Sequence, residues 1–135
     1  MKEQKFIALI DSIPGVTSFV MNWLESLDCP MKTQTQIDLA IDEIFTNIAS
    51  YAYKSGTGDA TVQLDFDEDS RIFSITFIDS GIPYNPLEKP DPDITLPAEE
   101  REIGGLGIFL VKKVMDRMEY KRENGLNILT LYKKT

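Results

Sequence analysis

Apolar positions between Val16 and Leu27 repeat at helical intervals, through Phe19, Val20, Trp23 and Leu24. The stretch "SIPGVTSFVMNWLESL" therefore predicts an amphipathic helix, with Trp23 in the core. It ends at Cys29, because the residue before Pro30 is pushed out of helical geometry. Thr33 to Tyr53 predicts the strongest helix. Ile37, Ile41, Ile44, Phe45, Ile48 and Ala52 fall at i, i+4, i+7, i+8, i+11 and i+15 and draw one apolar stripe. A third helix is predicted over "GGLGIFLVKKVMDRM", with Ile108, Val111, Met115 and Met118 on one face. Strand patterns occupy the rest: "KFIALI" (5–10), then "ATVQLDFD" and "RIFSITFID" joined by Glu68-Asp69-Ser70. A closing hairpin, "EYKRENGLNILTLYKK", turns at Asn124-Gly125.

The order β-α-α-β-β, loop, α-β-β, with strands arriving as adjacent hairpins, predicts an α+β two-layer sandwich. Its mostly antiparallel mixed sheet carries helices on one face. The 135 residues are long enough for one domain with its own core, taken as 1–135. One segment does not fit a tight connection. After the strand ending at Asp79, "SGIPYNP" leads into "LEKPDPDITLPAEEREI", rich in proline and charge, before the helical pattern resumes at Gly105. A structureless segment of that length is usually functional or disordered, and both a flap over a ligand and a surface loop fit it.

Composition narrows the chemistry. The formal charge is −8 and the 14 basic residues form no long stripe, which disfavours nucleic acid as a partner. No run of eighteen apolar residues suggests a membrane span, the first residues are too short in apolar content for a signal peptide, and the single cysteine, Cys29, cannot form an internal disulfide. A cytoplasmic location is expected. There is no histidine, which excludes imidazole-based triads and His-ligated zinc. Catalysis would fall to carboxylates, hydroxyls, lysines, backbone amides or a bound metal.

Three patches could carry it. Glu43, Asn47 and Tyr51 are spaced i, i+4, i+8 on the long helix, roughly 110° from the centre of its apolar face. They read either as a solvated flank or as a magnesium site, with an Asn carbonyl as ligand and a Glu carboxylate as ligand or base. Asp79 ends a strand where a half-buried carboxylate could read an amine beside a ring nitrogen. Gly81 would admit a flat ligand close to the backbone, although Asp and Gly also make ordinary turns. "GGLG" (104–107) opens an apolar helix and reads as an anion site built from backbone N–H groups, or as a flexible joint.

The three patches occur in the order "E-x-x-x-N", "D-x-G-x-P-[YF]-[ND]-P" and "G-G-L-G-I-F-L-V". That order resembles the N, G1 and G2 boxes of the Bergerat-fold ATPases, which include histidine-kinase catalytic domains and type II topoisomerase ATPase domains. "DEIFTNIASYAY" and "GGLGIFLVKKVMD" look most like the anti-sigma factor serine/threonine kinases, over about Lys5 to Lys134. The resemblance implies the Bergerat ATP-binding fold and ATP with Mg2+ as cofactors. It implies Glu43 as general base, Asn47 as magnesium ligand and Asp79 as acceptor of the adenine amine above Gly81. Gly104, Gly105, Leu106 and Gly107 become the phosphate-binding stretch, with Tyr51 and Asn127 as further nucleotide contacts and a lid at about 87–103. It implies phosphoryl transfer to a Ser or Thr of an anti-sigma antagonist protein, a sigma factor or similar regulator as second partner, and a possible homodimer. The alternative is a non-catalytic, nucleotide-gated binding switch of the same fold. Two positions depart from the family pattern: Tyr51 stands where "HAY" often places His, and Leu126 and Asn127 stand where a Thr pair is typical.

Overall fold

The structure, a computed structural model, describes residues 1–54, 56–88 and 105–135. Among the described residues there are five strands: β1 (Lys2–Ile7), β2 (Asp59–Asp67), β3 (Ile72–Asp79), β4 (Arg117–Glu123) and β5 (Leu126–Lys134). Three helices accompany them: α1 (Ile13–Ser26), α2 (Met31–Asn47) and α3 (Gly105–Val114). The sheet order is β1-β2-β3-β5-β4. Every pairing is antiparallel, so the mixed element expected from the sequence is not found among the described residues. The hairpins β2–β3 and β4–β5 supply two pairings, and their joining along β3–β5 sets them side by side.

Strand alternation decides which face is covered. Three rows run straight across β2, β3 and β5: Leu64–Ile75–Leu131, Val62–Phe77–Leu129 and Ala60–Asp79–Asn127. All nine residues are buried. Val16, Val20 and Leu24 of α1 and Ile37, Ile41, Ile44 and Phe45 of α2 complete the same core, so the helices lie on this face. Phe6 meets Phe19 and Phe45, and Trp23 meets Phe73, at ring separations of 6.0 to 6.4 Å. The third row is the consequential one. The period that buries two rows of hydrocarbon carries a carboxylate and a carboxamide onto the covered face at one end of the sheet. The other face mixes polar and apolar positions, with Ile78 opposite Ile128 and the Thr76 and Thr130 hydroxyls 3.0 Å apart.

Element boundaries differ from expectation in three places. The first strand is Lys2–Ile7 rather than 5–10; as an edge strand it buries no residue fully, so its polar sequence hides it, and Ile10–Ser12 instead form a 3-10 turn. The second helix stops at Asn47 and continues as a π-helical turn over Ile48–Ala52. The third ends at Val114. Met118 is placed by β4, opposite Leu131, so its position in the apolar pattern reflects the sheet and not the helix. The Asn124-Gly125 turn stands as expected, both residues having positive φ (53° and 76°) as a two-residue hairpin requires.

The Cys29 thiol is buried, and that burial raises its pKa against the opposing pull of Arg71. A thiol held protonated in this way is a packing group rather than a nucleophile.

Candidate functional site

A cleft opens where α2, the end of β3, the following loop and the β4–β5 hairpin meet. Ile44, Ile48 and Ala52 line it from the helix, and Phe77 and Leu129 from the sheet. Ile82, Tyr84 and Pro86 close it from the loop, and Tyr120 from β4. Three polar side chains enter this apolar surround: Asn47, Asp79 and Asn127. A few fixed polar groups in an apolar hollow is the usual composition of a small-molecule site.

Asn47 arrives from the last α-helical residue of α2. Its Nδ2 donates to Glu43 Oε1 at 3.3 Å, one turn earlier. That bond commits the amide nitrogen and leaves the carbonyl Oδ1 as the atom available to a cation. Among the described residues no group of three Asp, Glu, Cys or His side chains could cage a metal. One Asn oxygen fits a magnesium ion that takes most of its ligands from water and phosphate oxygens.

Glu43 ties the cleft to the third patch. A Cβ at Gly107 would collide with the Glu43 carboxylate, so this carboxylate rests directly on the first turn of α3. Unpaired N–H groups of a helix start favour a negative group there. Tyr84 stands near the same carboxylate: burial raises its phenol pKa most, with Glu43 and then Tyr51 adding to the rise.

Asp79 is 6% exposed. Both hydrogen bonds to it reach Oδ1, from Gly81 N at 2.9 Å and from Asn127 Nδ2 at 2.9 Å. Oδ2 therefore has no donor among the described residues, at the wall of the cleft. The loop after Asp79 is pinned from three sides. Arg122 Nη1 donates to Gly81 O at 2.8 Å, Ile82 N donates to Ala52 O at 2.8 Å, and Tyr53 Oη accepts from Ser80 N at 3.1 Å while donating to Asp59 O at 2.6 Å.

The structure thus gathers Glu43, Asn47, Asp79, Asn127 and Gly107 around one region. Two of the expected contact residues stand outside that lining. Gly81 is not among the residues that line the cleft; a Cβ there would strike the backbone of Ala52, so the close approach of the π-helical turn requires glycine. Tyr51 is 60% exposed and also outside the lining. Its i+8 spacing from Glu43 assumed α-helical periodicity, and the wider π turn ends that register after Asn47. Gly105 and Leu106 lie in the first turn of α3, whereas Gly104 and residues 89–103 of the expected lid fall outside the described residues. Tyr84 and Tyr120 were not singled out as site residues from sequence. For Tyr120 the signal was its alternation with Met118, which sets both on the covered face of an otherwise charged strand.

Comparison with known proteins gives the geometry a lineage. The chain is 30% identical over 95 residues to the serine/threonine-protein kinase BtrW of Bordetella bronchiseptica, covering 70% of this chain and 66% of that protein. It is 33% identical over 95 residues to the serine-protein kinase RsbW of Bacillus mycoides, covering 67% of this chain and 58% of the relative. The chain thus spans less than two thirds of the length of either relative. The histidine kinase domain of a blue-light activated histidine kinase from Erythrobacter litoralis superposes with a TM-score of 0.57, at 18% identity, over 78% of this chain and 46% of that one. That likeness carries the fold alone. Residues 6–133 match the histidine kinase-like ATPase domain, and the chain belongs to that family.

Proposed function

We propose that this chain is a single ATP- and magnesium-dependent serine/threonine protein kinase domain acting on an anti-sigma antagonist protein, and that it holds a sigma factor or similar regulator in the alternative state, within the cytoplasm. The observation that carries this reading is the meeting of Asn47 and Asp79 in one cleft, with Glu43 linking that cleft to the first turn of α3. Family membership and the serine kinase names of the relatives support it.

In this reading Asp79 Oδ2 accepts the exocyclic amine of adenine, while the apolar walls of the cleft hold the ring. Asn47 Oδ1 is the protein ligand for magnesium, which neutralises phosphate charge when bound. The backbone amides of Gly105, Leu106 and Gly107, in the first turn of α3, face the phosphates. Glu43 orients the acceptor hydroxyl and takes its proton as the hydroxyl oxygen bonds to the γ-phosphorus and the bridging P–O bond to ADP breaks. Phosphoryl transfer asks little more of side chains than position and charge, which a chain without histidine can supply.

The test compares melting temperature with ATP, ADP, GTP or no nucleotide, with and without magnesium, alongside transfer of labelled γ-phosphate to a serine-bearing antagonist. At a hundredfold excess over Kd, linkage stabilises by about 2.7 kcal/mol, roughly 8–10 °C for a domain of this size. Asn47→Ala is expected to weaken Mg-ATP by about tenfold, or about 1.4 kcal/mol. No response to ATP would overturn the reading. Binding without transfer would leave the nucleotide-gated switch in its place.

A further inference from the structure

Asn127 lines the cleft, yet its hydrogen-bonding capacity is already used inside the protein. Nδ2 donates to Asp79 Oδ1 at 2.9 Å and to Ile82 O at 2.8 Å. Oδ1 accepts from Tyr84 N at 3.3 Å and from the Tyr120 hydroxyl at 2.5 Å. A carboxamide has two donor hydrogens and two acceptor lone pairs, and all four are engaged. The orientation is fixed by obligate partners: Ile82 O can only accept and Tyr84 N can only donate, so the amide cannot be reversed without two mismatches. Asn127 is 6% exposed, which makes each mismatch expensive.

We propose that Tyr120 and Asn127 form a positioning pair that sets base selectivity without reading the base through their polar atoms. This rests on the nucleotide reading above. Tyr120 donates to Asn127, and Asn127 donates to Asp79 Oδ1, across the β4–β5–β3 joint. Among the described residues Gly81 N makes the other bond to that same oxygen, so the carboxylate is held through Oδ1 and leaves Oδ2 for a ligand in the cleft that Asp79 lines. A carboxylate free to rotate could offer either oxygen to many donors. One held at a single oxygen accepts best from a donor at one place. Removing the Tyr120 hydroxyl leaves Asn127 Oδ1 with only the long bond from Tyr84 N, so Asn127 and Asp79 gain freedom and the preference falls. The aromatic ring, which supplies the packing, is untouched.

The experiment measures Kd by calorimetry for ATP and for purine riboside 5′-triphosphate, which lacks the 6-amino group, on the full chain and on Tyr120→Phe and Asn127→Ala. A preference for ATP of tenfold or more is expected in the unaltered chain, falling to about threefold in Tyr120→Phe with a melting temperature little changed, and to near unity in Asn127→Ala. The ratio of the two constants is the readout, since looser packing alone would weaken both ligands together. ATP binding with the same ratio in Tyr120→Phe would overturn this inference while leaving the nucleotide reading in place. No ATP binding by the unaltered chain would overturn both. Should Asn127→Ala fail to fold, the Tyr120→Phe ratio decides by itself.

Discussion

Replacing Asp79 with asparagine is expected to lower ATP affinity by about 100-fold while leaving the fold intact. The substitution is nearly isosteric, and the side-chain oxygen of asparagine can accept the same two bonds that Oδ1 accepts now, from Gly81 N and Asn127 Nδ2. The amide nitrogen then takes the place of Oδ2. Where the exocyclic amine of adenine would have met a charged acceptor, it meets a second donor. Losing a hydrogen bond to a charged group costs about 1.5–3 kcal/mol, and the unpaired donors carry the effect to the top of that range. Some 3 kcal/mol corresponds to roughly 100-fold in Kd. Guanine carries a carbonyl at the same ring position, so the variant should lose less for GTP than for ATP, and the ATP preference should shrink or reverse. Titration with both nucleotides, paired with a urea melt, checks this. Equal ATP affinity in the two proteins would remove Asp79 from the role of base reader.

Much of this arrangement was legible in the residues because burial follows period. α1, β2, β3 and the closing hairpin each bury every third or fourth, or every second, residue, and their patterns say so. Asp79 and Asn47 were legible as exceptions: polar groups at the end of an apolar strand and on the shoulder of an apolar helix. What stayed hidden depended on distant partners. β1 is half-paired and polar, so no alternation marks it. Met118 continues a helical spacing by coincidence, while its burial comes from β5. The π-helical turn leaves no local signature, although it alone decides where Tyr51 points and where the Ala52 carbonyl lies. Asn127 could be guessed as a cleft residue, but its saturation by Tyr120, Tyr84, Ile82 and Asp79 is a property of four chain segments at once.

Gly81→Ala is expected to destabilise the domain by about 3 kcal/mol, whereas Gly107→Ala should stay within about 1 kcal/mol. Both glycines sit where a Cβ has no room, so the difference lies in what each would strike. At Gly81 the obstacle is the carbonyl oxygen, carbonyl carbon and Cβ of Ala52. Backbone cannot step aside without moving the π-helical turn or the loop, and either motion breaks the bond from Ile82 N to Ala52 O. Overpacking of this kind costs about 1–3 kcal/mol, and the lost hydrogen bond adds about 1 more. The φ of Gly81 is not positive, so space, not conformational freedom, is what demands glycine there. At Gly107 the obstacle is the carboxylate of Glu43, the free end of a flexible side chain. It can swing away, and alanine is the better helix former. On the proposed kinase reading the cost then falls on chemistry: Glu43 leaves Asn47, and phosphoryl transfer should drop on the order of tenfold or more while the urea midpoint holds. Urea melts of the two variants, with labelled-phosphate transfer measured on Gly107→Ala, separate the cases. Equal losses of stability would mean that the close approach of Gly81 to Ala52 does not brace this loop.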